Sequence, residues 1–225
     1  MVQLEVCANG VGSALIAQEG GAYRVELCDN MLEGGTTPSH GQIALARKLL
    51  EIKLYPIIRP RGGNFCYTDL EFEVMKADVL NCKALGCDGV VFGMLDAEGR
   101  IDVERCKILL DLAHPLPATF HRAFDEAGDL FGALEDLIAL GFERVLTSGG
   151  AATAMEGAEV LKKLIAAAKG RIEVMPGAGI RPDNVAALVS ATRARVVHGS
   201  LSADIPFRVT ILDQVKQVVT TLNGV

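Results

Sequence analysis

The sequence predicts a (β/α)8 barrel built as one domain over residues 1–225. Strand-like segments alternate with amphipathic helical segments and glycines, and eight such units fill the chain. Their starts are spaced by roughly 27 residues, the size of a βα unit whose crossover contains a helix. This alternation is compatible with an open doubly wound sheet or a closed barrel, and eight nearly even units favour the barrel.

The strands are predicted from short apolar segments. Residues 89–92 and 144–147 are typical of parallel strands that helices cover on the outside. The eight predicted strands begin near Gln3, Arg24, Leu54, Gly89, Pro117, Arg144, Ile172 and Arg195.

The helix boundaries are predicted from capping residues. Pairs with capping-box spacing predict helix starts at Ser39 and Gln42, Thr68 and Glu71, and Thr153 and Glu156. Pro182 suits the first turn of a helix, because proline has no N–H to lose there. The glycines that suit helix ends are Gly20, Gly21, Gly86, Gly141 and Gly170.

Composition narrows the class of protein. Half of the 225 residues are hydrophobic, which is enough for a large core. A net charge of -6 without any Lys/Arg run argues against a nucleic-acid or membrane-surface partner, although a small anion could bind locally. The six cysteines form no Cys-x-x-Cys pair, and the N-terminus has no signal-peptide pattern. We therefore predict a soluble cytoplasmic protein with reduced thiols, and no nucleotide cofactor is evident.

The first two predicted strands share one pattern, Leu4-Glu5-Val6-Cys7 and Val25-Glu26-Leu27-Cys28. Side chains alternate along a strand, so each glutamate and cysteine share one face and the aliphatic residues share the other. If helices cover the aliphatic faces, both Glu-x-Cys faces point into the barrel. The active site of such a barrel lies at the C-terminal ends of the strands, where Cys7 and Cys28 occur.

Two inward cysteines on neighbouring strands could hold one metal ion. Neighbouring strands lie about 4.8 Å apart, which brings two sulfurs within reach of a single ion. Thiolates favour Cu(I) or Zn²⁺, and a site with only two of them suits Cu(I) better. The alternative is that Cys7 and Cys28 are small buried core residues, as free cysteines often are.

The other polar strand ends indicate an anionic ligand. Arg59 and Arg61 alternate onto one face, where they either clamp a carboxylate or phosphate or form an ion network with Glu5 and Glu26. Glycine-rich segments after the last three strands occupy positions at which many barrels bind phosphate, or they only turn the chain. The candidate ligand-binding residues are Glu5, Arg59, Arg61, Arg122, Ser148, Gly149, Gly177, Gly179, His198 and Ser200.

Two side chains are candidates for proton transfer. His121 follows a predicted strand and has an ordinary pKa near neutrality, but a histidine there could equally be a structural donor. Glu26 is the second candidate, and His198 lies in a similar position at the end of the last strand. Cys66 could approach the barrel mouth, whereas Cys82, Cys87 and Cys106 are predicted to pack in or beside helices.

Taken together, the motifs resemble the CutC family of copper homeostasis proteins. They are Leu4-Glu-Val-Cys-Ala8, Arg24-Val-Glu-Leu-Cys28, Glu33-Gly-Gly-Thr-Thr-Pro-Ser39, Ile58-Arg-Pro-Arg-Gly-Gly63, Asp88-Gly-Val-Val-Phe-Gly93, Thr119-Phe-His-Arg-Ala-Phe124, Arg144-Val-Leu-Thr-Ser-Gly-Gly150, Met175-Pro-Gly and His198-Gly-Ser200. The resemblance implies a cytoplasmic, oligomeric (β/α)8 barrel that handles copper, with Cys7 and Cys28 as the Cu(I) ligands. Ala178 departs from the pattern, because a third consecutive glycine is common there.

Two hypotheses follow, and they are compatible. The first is a Cu(I)-binding protein whose thiol pair buffers or passes on the metal. The second is an enzyme that acts on a small anionic metabolite, held by Arg59, Arg61 and the glycine loops, with His121 or Glu26 moving a proton. A purely structural scaffold explains the polar interior poorly, because buried charges cost free energy unless pairing or function retains them.

Overall fold

The computed structural model describes residues 2–203 and 209–225. Within these ranges eight strands alternate with eight α-helices. The strands are β1 (Gln3–Asn9), β2 (Arg24–Cys28), β3 (Lys53–Pro56), β4 (Val90–Phe92), β5 (Ala118–Phe120), β6 (Arg144–Thr147), β7 (Glu173–Pro176) and β8 (Val196–Gly199). The helices are α1 (Gly10–Glu19), α2 (His40–Leu49), α3 (Asp69–Ala84), α4 (Val103–Ala113), α5 (Leu130–Leu140), α6 (Ala158–Ala168), α7 (Val185–Thr192) and α8 (Leu212–Asn223). Short 3-10 helices follow β2 and β5, at Met31–Glu33 and Arg122–Glu126.

Backbone pairing joins the strands in a ring. Strands β3, β2, β1 and β8 form one parallel sheet in that order, and β4, β5, β6 and β7 form the other. Parallel bridges connect the two sheets on both sides, from Ile57 to Val91 and from Gly177 to His198. The predicted (β/α)8 barrel is confirmed.

Most of the apolar core lies between the strands and the helices. The outward side chains Val6 and Val25 are completely buried there, together with helix residues such as Ala14 and Ile43. Two small apolar clusters are separate from this core, and each draws its members from several strands. They comprise Cys7, Cys28, Tyr55, Ile57 and Val91 in one case and Leu146, Met175 and Val196 in the other. The guanidinium of Arg24 contacts a member of each cluster, at 4.1 Å from the centre of the Tyr55 ring and 3.9 Å from the Sδ of Met175.

The sequence pattern located the elements closely. Every strand begins within one residue of its predicted start. Ser39 accepts a hydrogen bond from the backbone N–H of Gln42 at the start of α2, and Thr68 forms a complete capping box at the start of α3. Gly141 ends α5 with φ 88°, a left-handed conformation that glycine adopts without steric cost.

Two predicted helix starts are wrong. The hydroxyl of Thr153 accepts from the backbone N–H of Glu156 at 3.3 Å, but it caps a separate turn, and α6 begins only at Ala158. Pro182 lies in the turn before α7, which begins at Val185. In both cases a local side-chain hydrogen bond stabilises a turn that precedes the helix. The capping pattern in the sequence does not distinguish such a turn from a helix start.

The helices of the described ranges, 2–203 and 209–225, include none that is both long and apolar enough to cross a membrane. The longest of them, α3, has 16 residues and carries both acidic and basic side chains. At 1.5 Å per residue a helix of that length spans about 24 Å, less than the roughly 30 Å of a hydrocarbon core.

The capping box of α3 yields a stability prediction. Thr68→Ala removes the hydroxyl that accepts from the Glu71 backbone N–H, and we expect the free energy of unfolding to fall by about 1 kcal/mol. Urea denaturation measures this change. Thr220→Ala, on the exposed side of α8, is the matched control and should leave stability nearly unchanged. Equal effects of the two substitutions would contradict the assignment.

Candidate functional site

Three sulfur atoms meet inside the barrel at the ends of β1 and β2. The Sγ of Cys7 lies 3.4 Å from the Sγ of Cys28 and 3.5 Å from the Sδ of Met31. Cys7 lines the barrel cavity, and Cys7 and Cys28 belong to an apolar cluster separate from the core between strands and helices, so the predicted inward orientation of both is confirmed. Met31 was not predicted as part of this cluster. Its position three residues after Cys28, and the soft character of its sulfur, were the signals available in the sequence.

The loop after β2 folds back over the thiols. Asn30 adopts a left-handed conformation with φ 50° and starts the 3-10 helix that carries Met31. Asp29 then pairs with Thr36 as an antiparallel bridge, which returns the chain to the barrel. Gly35 has φ 91°, and a Cβ on it would lie 3.4 Å from the Sγ of Cys28, so the loop packs directly on this thiol. Cys28 is thereby shielded from solvent.

A second, polar group lies against Cys7. Ligand atoms of Cys7, Glu26 and His198 all lie within 4.8 Å of one another, and all three residues are buried. His198 directs Nδ1 to Glu5 at 2.7 Å and Nε2 to Glu26 at 3.5 Å. A carboxyl group therefore faces each nitrogen of the imidazole.

The partner of Glu5 is Arg24, which is only 1% exposed. The Arg24 guanidinium lies 4.1 Å from the centre of the Tyr55 ring and 3.7 Å from the carboxylate of Glu143. The expected ion network of Glu5 and Glu26 with Arg59 and Arg61 is wrong. Arg24 is the first residue of β2, two residues before Glu26 and four before Cys28, so it lies on the same inward face but nearer the N-terminal end of the barrel. Arg59 and Arg61 instead lie in the loop after β3.

The pKa values in this cluster are strongly shifted. The hydrogen bond from Cys28 lowers the pKa of Cys7 to about 5, against the opposing effect of burial. The pKa of Cys28 is raised well above its ordinary value, since Cys28 keeps the proton that it shares with Cys7 and is itself buried. Burial opposes a charge on His198, but bonds to Cys7 and Glu5 outweigh it and raise the His198 pKa well above 6.5. The arrangement favours a Cys7 thiolate beside a His198 imidazolium.

The two carboxylates differ in protonation. Burial raises the pKa of Glu26 well above its ordinary value, and the negative charge of Cys7 adds to this effect. Burial acts in the same direction on Glu5, but Arg24 and His198 outweigh it and lower the Glu5 pKa. Glu5 is therefore the charged member of the pair, and Glu26 retains its proton more readily.

Arg59 and Arg61 stabilise loops. Arg59 donates to the carbonyls of Glu33, Gly35 and Gly63 at 2.6 to 2.9 Å, and its guanidinium lies 4.9 Å from the Phe65 ring centre. Arg61 donates to Glu71 at 2.6 Å and to several loop carbonyls. Protein acceptors occupy these donors, so they do not clamp a carboxylate or phosphate in this arrangement. Arg59 also lines the cavity, and its buried Nε has no hydrogen-bond partner among residues 2–203 and 209–225, so a ligand-binding role for Arg59 stays a prediction.

The glycine turn after β6 holds a carboxylate of the protein itself. The backbone N–H groups of Ser148 and Gly150 each donate to Asp125 at 3.0 Å, and that of Gly149 donates to Thr147. Arg122 donates to the same carboxylate at 2.8 Å. The expected anion site at Ser148 and Gly149 is therefore wrong. Asp125 was missed, because nothing in the sequence indicates that the 3-10 helix after β5 reaches this turn.

The loops after β7 and β8 remain open to the cavity. The N–H of Gly177 donates to Thr147, and a Cβ on Gly177 would lie 2.5 Å from a methyl group of Leu146, so this glycine serves packing. Gly179 and Ser200 line the barrel cavity, and their ligand-binding role stays a prediction. Ala178 has φ 76°, which explains why glycine would suit this position.

His121 is buried and held by its Nδ1 atom. Nδ1 accepts a hydrogen bond from the backbone N–H of Ala123 at 3.2 Å. Burial, together with the positive charge of Arg59, lowers the His121 pKa to about 3. A Cβ on Gly93 would lie 2.6 Å from Nδ1, so only glycine leaves room for the ring. His121 is thus a neutral imidazole near pH 7 and a weak base, and its predicted role in proton transfer is untested.

A cavity of about 950 Å³ opens at the C-terminal end of the barrel. Its lining includes Cys7, Glu26, Met31 and His198 on the cluster and His121, Arg122, Arg181, Gly179 and Ser200 elsewhere. Cys28 is absent from the described lining and lies behind Cys7. Cys66 is exposed outside it, contrary to the expectation that it approaches the mouth, whereas Cys82, Cys87 and Cys106 are buried as predicted.

Comparison with known proteins identifies the family. The profile of the CutC family matches residues 2–203. The chain belongs to the CutC family. A CutC family protein from Chromobacterium violaceum is 55% identical over 197 residues, which cover 88% of this chain and 80% of the relative. The copper homeostasis protein cutC homolog of Mus musculus is 51% identical over 197 residues, covering 88% of this chain and 72% of that protein.

Solved structures agree with this assignment. A crystal structure of CutC from Streptococcus agalactiae superposes with a TM-score of 0.85 and 37% identity, covering 89% of this chain and 99% of that one. Phosphoribosylanthranilate isomerase from Thermotoga maritima superposes with a TM-score of 0.63 at 15% identity, covering all of both chains. At that identity the second likeness shows only that CutC shares the barrel fold.

The neutral state of His121 yields a prediction of pH dependence. The unfolded imidazole gains a proton near pH 6.5, whereas the folded one does so only near pH 3. The group therefore contributes its full stability above pH 6.5 and loses about 1 kcal/mol for each pH unit below it. Urea denaturation from pH 7.5 to 5 should show a shallower loss for His121→Gln than for the unmodified chain. His114→Gln, at an exposed position, is the control, and identical slopes for all three proteins would contradict the prediction.

Proposed function

We propose that this CutC protein handles copper in the cytoplasm by binding one Cu(I) ion at the sulfur atoms of Cys7, Cys28 and Met31. The observation that carries the proposal is the contact of the Cys7 Sγ with two other sulfurs, at 3.4 and 3.5 Å. Two thiolates and a thioether are the soft ligands that select Cu(I). The mouse relative, whose name describes copper homeostasis, supports the connection to copper.

The surroundings of the sulfurs fit a Cu(I) complex. A complex with two thiolates carries a net negative charge, which the adjacent His198 imidazolium would offset. Burial of Cys28 at 1% exposure excludes water, which protects Cu(I) from ligands that favour Cu(II). Zn²⁺ is the competing ion, since it could take Cys7, Cys28, His198 and Glu26 as four ligands. Three sulfurs and a low coordination number favour Cu(I).

Oligomerisation is a separate part of the proposal. It rests on the family resemblance, because single exposed leucines such as Leu32 and Leu70, at 73% and 80% exposed, also occur on monomers. We expect a homo-oligomer, and the mass from light scattering on a sizing column decides it.

The copper proposal predicts the results of an anaerobic competition titration with a coloured Cu(I) chelator. The unmodified chain should bind about one Cu(I), and Cys7→Ser and Cys28→Ser should both lose tight binding, since each removes a thiolate. Met31→Leu should weaken affinity by about tenfold, the order of magnitude lost with one supporting group of a metal site.

Matched controls are available in the same chain. Cys66→Ser changes an exposed thiol, and Met155→Leu changes a methionine that is 40% exposed, and neither should alter Cu(I) affinity. Circular dichroism establishes that each variant is folded. Unchanged Cu(I) binding in folded Cys7→Ser and Cys28→Ser would refute the proposal, as would X-ray absorption that found nitrogen and oxygen neighbours alone.

A further inference from the structure

The cavity is far larger than a copper site requires. Its volume of about 950 Å³ is in the range of pockets that enclose organic ligands, whereas one ion needs only the space between its ligand atoms. Cys7 and Met31 line this cavity, and Cys28 lies behind them. An occupant at this end of the cavity would contact the exposed face of the sulfur cluster.

His121 gives an independent indication that the occupant carries oxygen acceptors. A backbone N–H can only donate, so the bond from Ala123 requires a lone pair on Nδ1 of His121. The proton of the neutral ring therefore lies on Nε2. That atom is buried without a hydrogen-bond partner within residues 2–203 and 209–225, although the ring borders the cavity. A carbonyl or carboxylate oxygen from an occupant would satisfy this donor.

Two arginines indicate that the occupant is an anion. Arg122 and Arg181 line the cavity and are 42% and 63% exposed. Arg122 uses Nε and one terminal nitrogen on Asp125 and Ser148, and Arg181 uses Nε on Asp183. The second terminal nitrogen of Arg122 and both terminal nitrogens of Arg181 have no hydrogen-bond partner in the part of the chain that the structure describes. Among the described residues, the acidic ones on this lining are Glu26, which is buried, Asp125, whose carboxylate accepts from the β6 turn, and Glu126.

We propose that the cavity is a docking subsite for a small anionic thiol peptide that delivers Cu(I) to Cys7. The inference rests on the proposed function, since a soft ion in a reducing compartment travels bound to thiols. The carboxylates of the carrier would pair with Arg122 and Arg181, and one of its oxygens would accept from Nε2 of His121. Its sulfur would then lie toward Cys7 and Met31.

The transfer is a ligand exchange without redox change. The bond between copper and the carrier sulfur breaks as the bond between copper and the Cys7 sulfur forms. The proton that the Cys7 and Cys28 pair gives up passes to the carrier thiolate. Copper remains Cu(I) throughout, and atoms and charge balance.

Stopped-flow transfer tests the subsite, with glutathione as the anionic carrier and acetonitrile as a neutral one. We expect the double variant Arg122→Gln, Arg181→Gln to take Cu(I) from the glutathione complex about tenfold more slowly than the unmodified chain. The reason is that the two positive charges no longer attract the anionic carrier to the cavity. Transfer from acetonitrile should be unchanged. Arg195→Gln is the matched control, because Arg195 is 71% exposed with one carboxylate partner and precedes β8 at the opposite end of the barrel. Equal slowing with both carriers, or slowing with neither, would overturn the inference.

A copper-free measurement separates this inference from the copper proposal. S-methylglutathione has the carboxylates but no free thiol, and calorimetry should detect its binding to the unmodified chain and to Arg195→Gln but much weaker binding to the double variant. Failure of Cu(I) binding together with normal S-methylglutathione binding would refute only the copper site. Absence of S-methylglutathione binding to the unmodified chain would refute the subsite.

Discussion

The barrel interior depends on the buried pair of Arg24 and Glu5. Two charges removed from water cost several kcal/mol unless they are paired and hydrogen-bonded, and here each is 1% exposed. Glu5 directs its second oxygen to Nδ1 of His198, which fixes the imidazole with Nε2 toward Glu26. The imidazolium of His198 beside Cys7 is therefore oriented by Glu5 and Arg24. Hydrogen-bonding groups behind the ligands of metal sites orient those ligands in the same way.

Local pattern was sufficient to predict the fold and the orientation of the thiols. Strand starts were predictable because apolar runs and the glycines before them depend on neighbours in sequence. Alternation along β1 and β2 likewise fixed the inward face of Cys7 and Cys28, since a strand has a strict two-residue period. The capping box at Thr68 was found for the same reason.

The partners of the charged residues could not be predicted, because they depend on how loops fold in space. Arg59 and Arg61 alternate as expected, but loop carbonyls approach them more closely than Glu5 or Glu26 does. Asp125 occupies the β6 turn across 23 to 25 residues of chain, a distance over which no spacing rule applies. Met31 joins the sulfurs only because Asn30 adopts a left-handed conformation.

The register of β1 against β2 has one more consequence. Cys7 pairs with Glu26, and Cys28 pairs with Asn9, so the two cysteines sit diagonally, two residues out of step. Across neighbouring strands this offset separates their Cα atoms by about 8 Å, beyond the roughly 7 Å that a cystine can span. The sulfurs can touch, yet the backbone opposes a covalent bond between them. The register thus disfavours a disulfide between Cys7 and Cys28 even though their sulfurs lie in contact.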